Sequence, residues 1–423
     1  MIQIINSNFA FTPTPQKWMT LENHFLVLED GVIRDIYPVL PEKYCGIDVE
    51  RYEDHFFIPA FNDIHVHAPQ YGGCGIGFDD ELLSWLENHV FPLEARFSDI
   101  EVAKQIYRQF VHDLWQVGTM RSCVFATIHT PATALLFDLF EASGLKAFVG
   151  KVNMDRNSPP SLIEDTRTSL RETEQLIQAT AEKYDHVKFI VTPRFVPSTT
   201  PTLMEGLGKL VQTYELPVQS HLCENRDEVK WVRELHPELA SFTDVYREYG
   251  LLPEGKTIMA HAIHLTDAER RLLKERQVLL AHCPISNDNL SSGIMPARRN
   301  LDFGLHIGMG SDVGGGHRLN MIFQIVDAMQ VSKLHWVSHS TEAHITLSEA
   351  FHMATKENGR FFGKVGSFEP GFAFDALMIQ PKNNFPAIPN TLYEQVEKFI
   401  YCGDDRQIER RYCDGKIIEA PFA

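Results

Sequence analysis

Two histidines, His65 and His67, follow an apolar run, Phe56-Phe57-Ile58, in a chain of 423 residues. If the run is a strand, side chains two residues apart share a face, so both imidazoles aim the same way. A pair of imidazoles at one strand end is half of a mononuclear metal site. Three more metal-ligating side chains close short strand candidates: His221 after Val218-Gln219-Ser220, His261 after Ile258-Met259-Ala260, and Asp312 after Met309-Gly310-Ser311. Buried strands rarely carry His or Asp without a partner. His65, His67, His221 and Asp312 together offer three imidazoles and one carboxylate, a set suited to a borderline-soft divalent ion; zinc, iron and manganese all accept it. Such an ion, with one position open to water, makes hydroxide at neutral pH. The chemistry then needs a proton carrier. Glu224, three residues beyond His221, is the candidate to protonate a leaving group or ring atom. Asp312 can take the proton of the attacking water, and His261 can hydrogen-bond that water or polarise a tetrahedral oxygen.

Each residue alone has a plainer reading. An HxH pair occurs as core or turn histidines, Asp312 would cap a helix ahead of Val313-Gly314-Gly315-Gly316, and Glu224 would sit solvated in a first helical turn. His282, in Ala281-His282-Cys283-Pro284, is a rival ligand better suited to supporting the site. What favours a site is agreement among several strand ends, and this requires elements that bring those ends together.

Apolar strand candidates recur at 61–67, 119–128, 145–154, 187–195, 217–223, 257–263, 277–283 and 306–312, with helix-like stretches between them. Asp99 to Trp115 and Thr166 to Lys183 carry apolar residues at helical spacing, and Thr266-Asp267-Ala268-Glu269 reads as a capping box. Strongly apolar strands separated by crossover helices imply a parallel sheet. Eight units imply an α/β fold of the (β/α)8 TIM-like barrel type, whose site lies above the C-terminal strand ends. Two long loops, 68–98 and 155–165, should reach that rim, the first as a lid or pocket wall. At the N-terminus, His24-Phe25-Leu26-Val27-Leu28 and Val32 to Tyr37 flank a Glu29-Asp30-Gly31 turn, a hairpin pattern echoed at Phe374 to Ile379 and Ile408 to Ile418. We therefore expect a small β-sandwich domain built from both ends, residues 1–57 and 366–423, around a metal-dependent barrel over 58–365.

Composition narrows the partners. The net charge of −17 argues against nucleic acid. There is no secretory pattern at Met1-Ile2-Gln3-Ile4, and no apolar segment reaches membrane-spanning length. Seven cysteines without a CxxC pair read as free thiols in a reducing compartment, hence the cytoplasm.

The HxH after the first strand, single histidines after the fifth and sixth, and the aspartate after the eighth resemble the zinc amidohydrolase superfamily, in its cyclic-deaminase branch. The fourth strand ends Thr192-Pro193-Arg194-Phe195, without a lysine to bridge two metals, which favours one; Lys151 on the third strand is the nearest rival. Longer strings are similar to the guanine-deaminating family of that branch: His65 to Tyr71, Leu83 to Leu86 with Phe91 to Glu94, Gly150 to Asn157, Thr192 to Phe195 and Ala281 to Asn287. The resemblance runs from about residue 55 to 380. It implies one Zn2+ per subunit on His65, His67, His221 and Asp312, with Glu224 protonating the purine ring and His261 orienting the hydroxide. It also implies a guanine pocket shaped by Gln70, Arg194 and Phe195, and a homodimer. The implied reaction is hydrolytic deamination of guanine to xanthine and ammonia by zinc-activated hydroxide. A related zinc deaminase acting on a pterin, triazine or adenosine-like ring is the alternative, and a non-catalytic scaffold the reading from another class. Gly72-Gly73-Cys74-Gly75-Ile76-Gly77 is richer in glycine than the family pattern, and the tail after 380 resembles it loosely.

Overall fold

A computed structural model describes residues 1–339, 343–382 and 387–422. The first four strands are β1 (Ile2–Thr14), β2 (Lys17–Glu29), β3 (Val32–Tyr37) and β4 (Val49–Pro59). The β2–β3 turn is tight, with Asp30 and Gly31 at φ of 52° and 79°, the left-handed pair that a two-residue hairpin requires. Ten short strands follow: β5 (Phe61–His67), β6 (Thr119–Phe125), β7 (Lys146–Gly150), β8 (Val152–Asn153), β9 (Val187–Phe189), β10 (Thr192–Pro193), β11 (Val218–Leu222), β12 (Thr257–His261), β13 (Leu279–His282) and β14 (His306–Met309). The last are β15 (Ala376–Ile379), β16 (Ile408–Cys413) and β17 (Lys416–Ile417).

The middle strands make a TIM-like barrel from two parallel runs, β5-β6-β7-β9 and β11-β12-β13-β14, joined on one side by the Val191–Val218 bridge. On the other side the end of β14 meets β5 through two backbone bonds, Asp312 N to the His65 carbonyl and His67 N to the Val313 carbonyl, each 2.8 Å, and through side chains. Asn358 donates to the carbonyls of Asn62 and Met309 at 2.5 and 2.8 Å and accepts from Met309 N at 2.8 Å. Asp63 accepts from Ser311 N at 3.0 Å and Ser311 Oγ at 2.5 Å. Every residue of β5, β6, β11 and β12 is buried, as strands wrapped by crossover helices must be.

The expected third and fourth strands each break in two. β7 stops at Gly150, where a side chain would collide with the Ile190 carbonyl and the Thr192 hydroxyl. The helices at Ile100–Gln116 and Thr166–Thr180 form as expected, and Thr266 caps its helix through a complete capping box with Glu269. Residues 68–98 depart from the loop expectation: most of the segment winds into short helical turns. Leu82, Trp85, Leu86 and Val90 bury together against Phe125, Met154 and Leu290, and that apolar stripe outweighs the glycines before it.

The chain ends meet in one seven-stranded sheet of order β17-β16-β15-β4-β1-β2-β3, a small β-domain beside the barrel. β4 runs directly into β5, so the strand that anchors this sheet also delivers His65 and His67. No helix among the described residues is long and apolar enough to cross a membrane.

Candidate active site

His65 and His67 end β5, His221 lies on β11, His261 ends β12, and Asp312 follows β14. All five are buried. His65 Nε2 lies 3.0 Å from Asp312 Oδ1, His67 Nε2 lies 3.2 Å from the same oxygen, and His67 Nε2 is 3.2 Å from His221 Nε2. Tetrahedral ligands about 2.0–2.1 Å from a zinc ion stand about 3.3 Å apart, so the spacing is that of a shared ion. Among the described residues His65 Nε2 has no hydrogen-bond partner despite its closeness to the carboxylate, the sign of lone pairs aimed at one point rather than at each other. Burial lowers the basicity of His65, takes His67 down to about 4 and His221 well below its ordinary value, which leaves three neutral imidazoles. At Asp312 burial opposes ionisation, yet the surrounding histidines hold it well below the usual carboxylate range. The donor set therefore fits a divalent metal.

One ligand position has two contenders. His65, His221, His261 and Asp312 bring ligand atoms within 4.8 Å of one another. His67 stands closer still to His221 and Asp312, whereas His261 Nε2 is 3.7 Å from Asp312 Oδ2 and 3.4 Å from Glu224 Oε2. The shorter contacts favour His67 as the ligand and leave His261 facing Glu224. Orientation is set from behind: His221 Nδ1 lies 2.6 Å from the Arg194 carbonyl and His261 Nδ1 lies 2.9 Å from Asn287 Oδ1, which directs both Nε2 atoms inward. The backbone turns left-handed at His261 and Asp312, with φ of 69° and 47°, strain of the kind that collects at functional positions.

Above these groups opens a cavity. Its walls include Gln70, Arg194, Phe195 and Glu224, and the helical segment after β5 covers it with Leu82, Trp85 and Leu86. His65 lies beneath, fully buried. Burial, then the Asp312 charge, pushes the Glu224 carboxyl up to about 8, so it holds a proton at neutral pH. His282 is buried with neither ring nitrogen hydrogen-bonded among the described residues, and it is outside the four-residue cluster. Lys151 is paired with Glu164 rather than directed to a metal. A second acidic group, Asp375 with Asp414, is already occupied by the cations of Arg121 and Lys146.

A model of the amidohydrolase family matches residues 56–418. The chain belongs to that family. A crystal structure described as guanine deaminase from C. acetobutylicum with bound guanine in the active site superposes with a TM-score of 0.97, at 45% identity over 99% of this chain and 100% of that one. Guanine deaminase from Homo sapiens is 41% identical over 91% of this chain and 88% of its own length. Its counterpart in Dictyostelium discoideum is 40% identical over 86% and 82%.

Within this amidohydrolase frame two groups behind the cavity wall hold the residues that line it, and neither has a strand-end signal. Ser292 Oγ donates to Glu224 Oε1 at 3.0 Å and so fixes that carboxyl. Glu94 is buried between two pocket residues, accepting from Gln70 Nε2 at 2.9 Å and from Arg194 Nη1 at 2.5 Å. Neither ends a barrel strand. A lone acid after an apolar Phe91-Pro92-Leu93 was the available signal for Glu94; Ser292, in a polar turn, had none.

Proposed function

We propose that this chain hydrolyses guanine to xanthine and ammonia. The observation that carries the reading is the meeting of His65, His67, His221 and Asp312 at the base of a cavity walled by Arg194, Gln70 and Phe195. Kinship supports it: the relative at 45% identity is described with guanine bound in its active site.

A zinc ion on His65, His67, His221 and Asp312 would activate a water for attack at neutral pH. Arg194 offers its guanidinium donors to the ring carbonyl. The Gln70 amide gives one N–H to Glu94 and accepts from Gly314 N at 3.3 Å, which leaves its second N–H for the ring edge. Phe195 packs on the flat base. Glu224, held by Ser292, delivers its proton to the ring nitrogen beside C2 as the C2–O bond forms. Asp312 takes a proton from the attacking water while His261 holds that water in line. The C2–N bond then breaks as the proton on Asp312 passes to the exocyclic amine and the C2 hydroxyl gives its proton to Glu224, so ammonia leaves, the C2 carbonyl forms and both carboxyls return to their starting states. The reading extends to a homodimer in the cytoplasm without nucleic-acid partners, in keeping with a net charge of −17 and seven free thiols. Sedimentation of the zinc-loaded protein tests the dimer.

The decisive assay is ammonia release by zinc-loaded protein from guanine, adenine, cytosine and a pterin. Guanine should be the preferred substrate. Equal or better turnover of another ring would move the assignment to a different N-heterocycle.

A further inference from the structure

Glu94 is an expensive group to bury. It is 2% exposed, Arg194 beside it is 3% exposed, and a charge so placed persists only when paired. One carboxylate oxygen accepts from Gln70 and the other from Arg194, so a single anion holds both polar walls of the pocket. The Arg194 guanidinium also stacks over Phe91, 5.2 Å from its ring centre, three residues before Glu94 on the same helical turn. The bond to Glu94 is the only one its guanidinium makes among the described residues, so the remaining N–H donors face the cavity.

The consequence concerns charge. Arg194 alone would present a buried positive charge to whatever enters, and a buried cation is most attracted to an anion. Paired with Glu94, the same fork presents hydrogen-bond donors with little net charge. We infer that Glu94 is a specificity-determining residue that tunes this pocket for a neutral oxopurine over an anionic one. The inference rests on the proposed deamination, because there the distinction has a use. Guanine enters neutral. Its product, xanthine, carries a carbonyl where the amine was and loses a ring proton far more readily. An uncompensated Arg194 would retain the xanthine anion after ammonia leaves, whereas the Glu94–Arg194 pair lets it go. Glu94 thus acts on product release and on the alignment of Gln70 and Arg194, not on the metal.

The test uses zinc-loaded wild-type protein and Glu94→Gln, with xanthine binding followed by equilibrium titration below and above xanthine's first ring ionisation, beside kcat and KM for guanine. In Glu94→Gln, xanthine should bind about tenfold more tightly than to wild type on the alkaline side and little differently on the acid side. Below that ionisation KM for guanine should rise more than kcat falls, from lost alignment; above it kcat should fall as the xanthine anion leaves more slowly, and zinc content should stay at one per chain. Glu94→Asp, which keeps the charge but shortens the reach, should keep wild-type xanthine binding at both pH values while raising KM. If Glu94→Gln does not fold, Arg194→Gln carries the test with opposite sign, because unpaired Glu94 should weaken alkaline xanthine binding. Xanthine binding with the same pH dependence in wild type and Glu94→Gln, or loss of zinc from the variant, overturns the inference. Failure of wild type to release ammonia from guanine is a separate result that removes the function itself, and it is read before any variant is compared.

Discussion

Glu224 and Ser292 show how chemistry is divided between side chains that touch substrate and those that aim them. Glu224→Gln keeps the shape and the Ser292 contact but cannot carry a proton. Zinc content should be unchanged while guanine turnover falls by about 100-fold or more, measured as ammonia release; near-normal turnover would take the proton role away from Glu224. Ser292→Ala removes one donor from a buried carboxyl, so kcat should drop about tenfold, the scale of one hydrogen bond to an ionisable group. A change confined to KM would instead assign Ser292 to the pocket wall. At this scale the sequence spoke through residue type in an unsuitable place. His221, His261 and Asp312 stood out because imidazoles and carboxylates at the ends of apolar strands need a reason to be there. Ser292 and Glu94 are ordinary residues in polar or helical context, and their roles come from partners 68 and 100 residues away along the chain.

The strands themselves were readable because burial on both faces leaves a continuous apolar run, as in Val278 to Ala281. The covering helices at 82–95 were not, because Gly72, Gly73, Gly75 and Gly77 precede them and suggest a loop. Their signal was the spacing of Leu82, Trp85, Leu86 and Val90, a stripe that becomes meaningful only against Phe125 and Met154. The seam between β5 and β14 was equally hidden, since beside two backbone bonds just past β14 it is closed by the side chains of Asp63 and Asn358. That seam separates His65 and His67 from Asp312, so its stiffness sets the spacing of the proposed ligands. Asn358→Ala would leave the carbonyls of Asn62 and Met309 and the amide of Met309 without that partner, a loss of about 2–4 kcal/mol. Thermal denaturation should show the lowered midpoint, and a chelator should strip zinc faster than from wild type. An unchanged release rate in a destabilised variant would mean that the seam supports the fold without governing the site.

At the level of the whole molecule, barrel and β-domain are joined by charge as well as by the β4–β5 continuation. Arg121, on the second barrel strand, pairs with Asp375 at 2.6 Å and with Asp414 at 2.6 Å, and Lys146 on the next strand also reaches Asp414. The pairing of chain ends was foreseeable, since short hairpins at both termini could not bury their faces alone; this latch was not, because Arg121 sits inside an apparently apolar strand. It gives the protein an acid-sensitive joint. Burial alone would raise the Asp414 carboxyl, but Arg121 and Lys146 outweigh it and hold the group below its ordinary value. Its folded pKa thus lies below the unfolded value of about 3.9. The contribution is fully present above that value and is lost as pH falls through the depressed folded pKa. Asp414→Asn should therefore unfold at a lower temperature than wild type at pH 7. The gap between them should stay constant down to about pH 5 and close once wild-type Asp414 is itself protonated. Thermal midpoints of both proteins across that range decide it: a gap that persists at the acid end would show that the Asp414→Asn variant fails by shape rather than by charge.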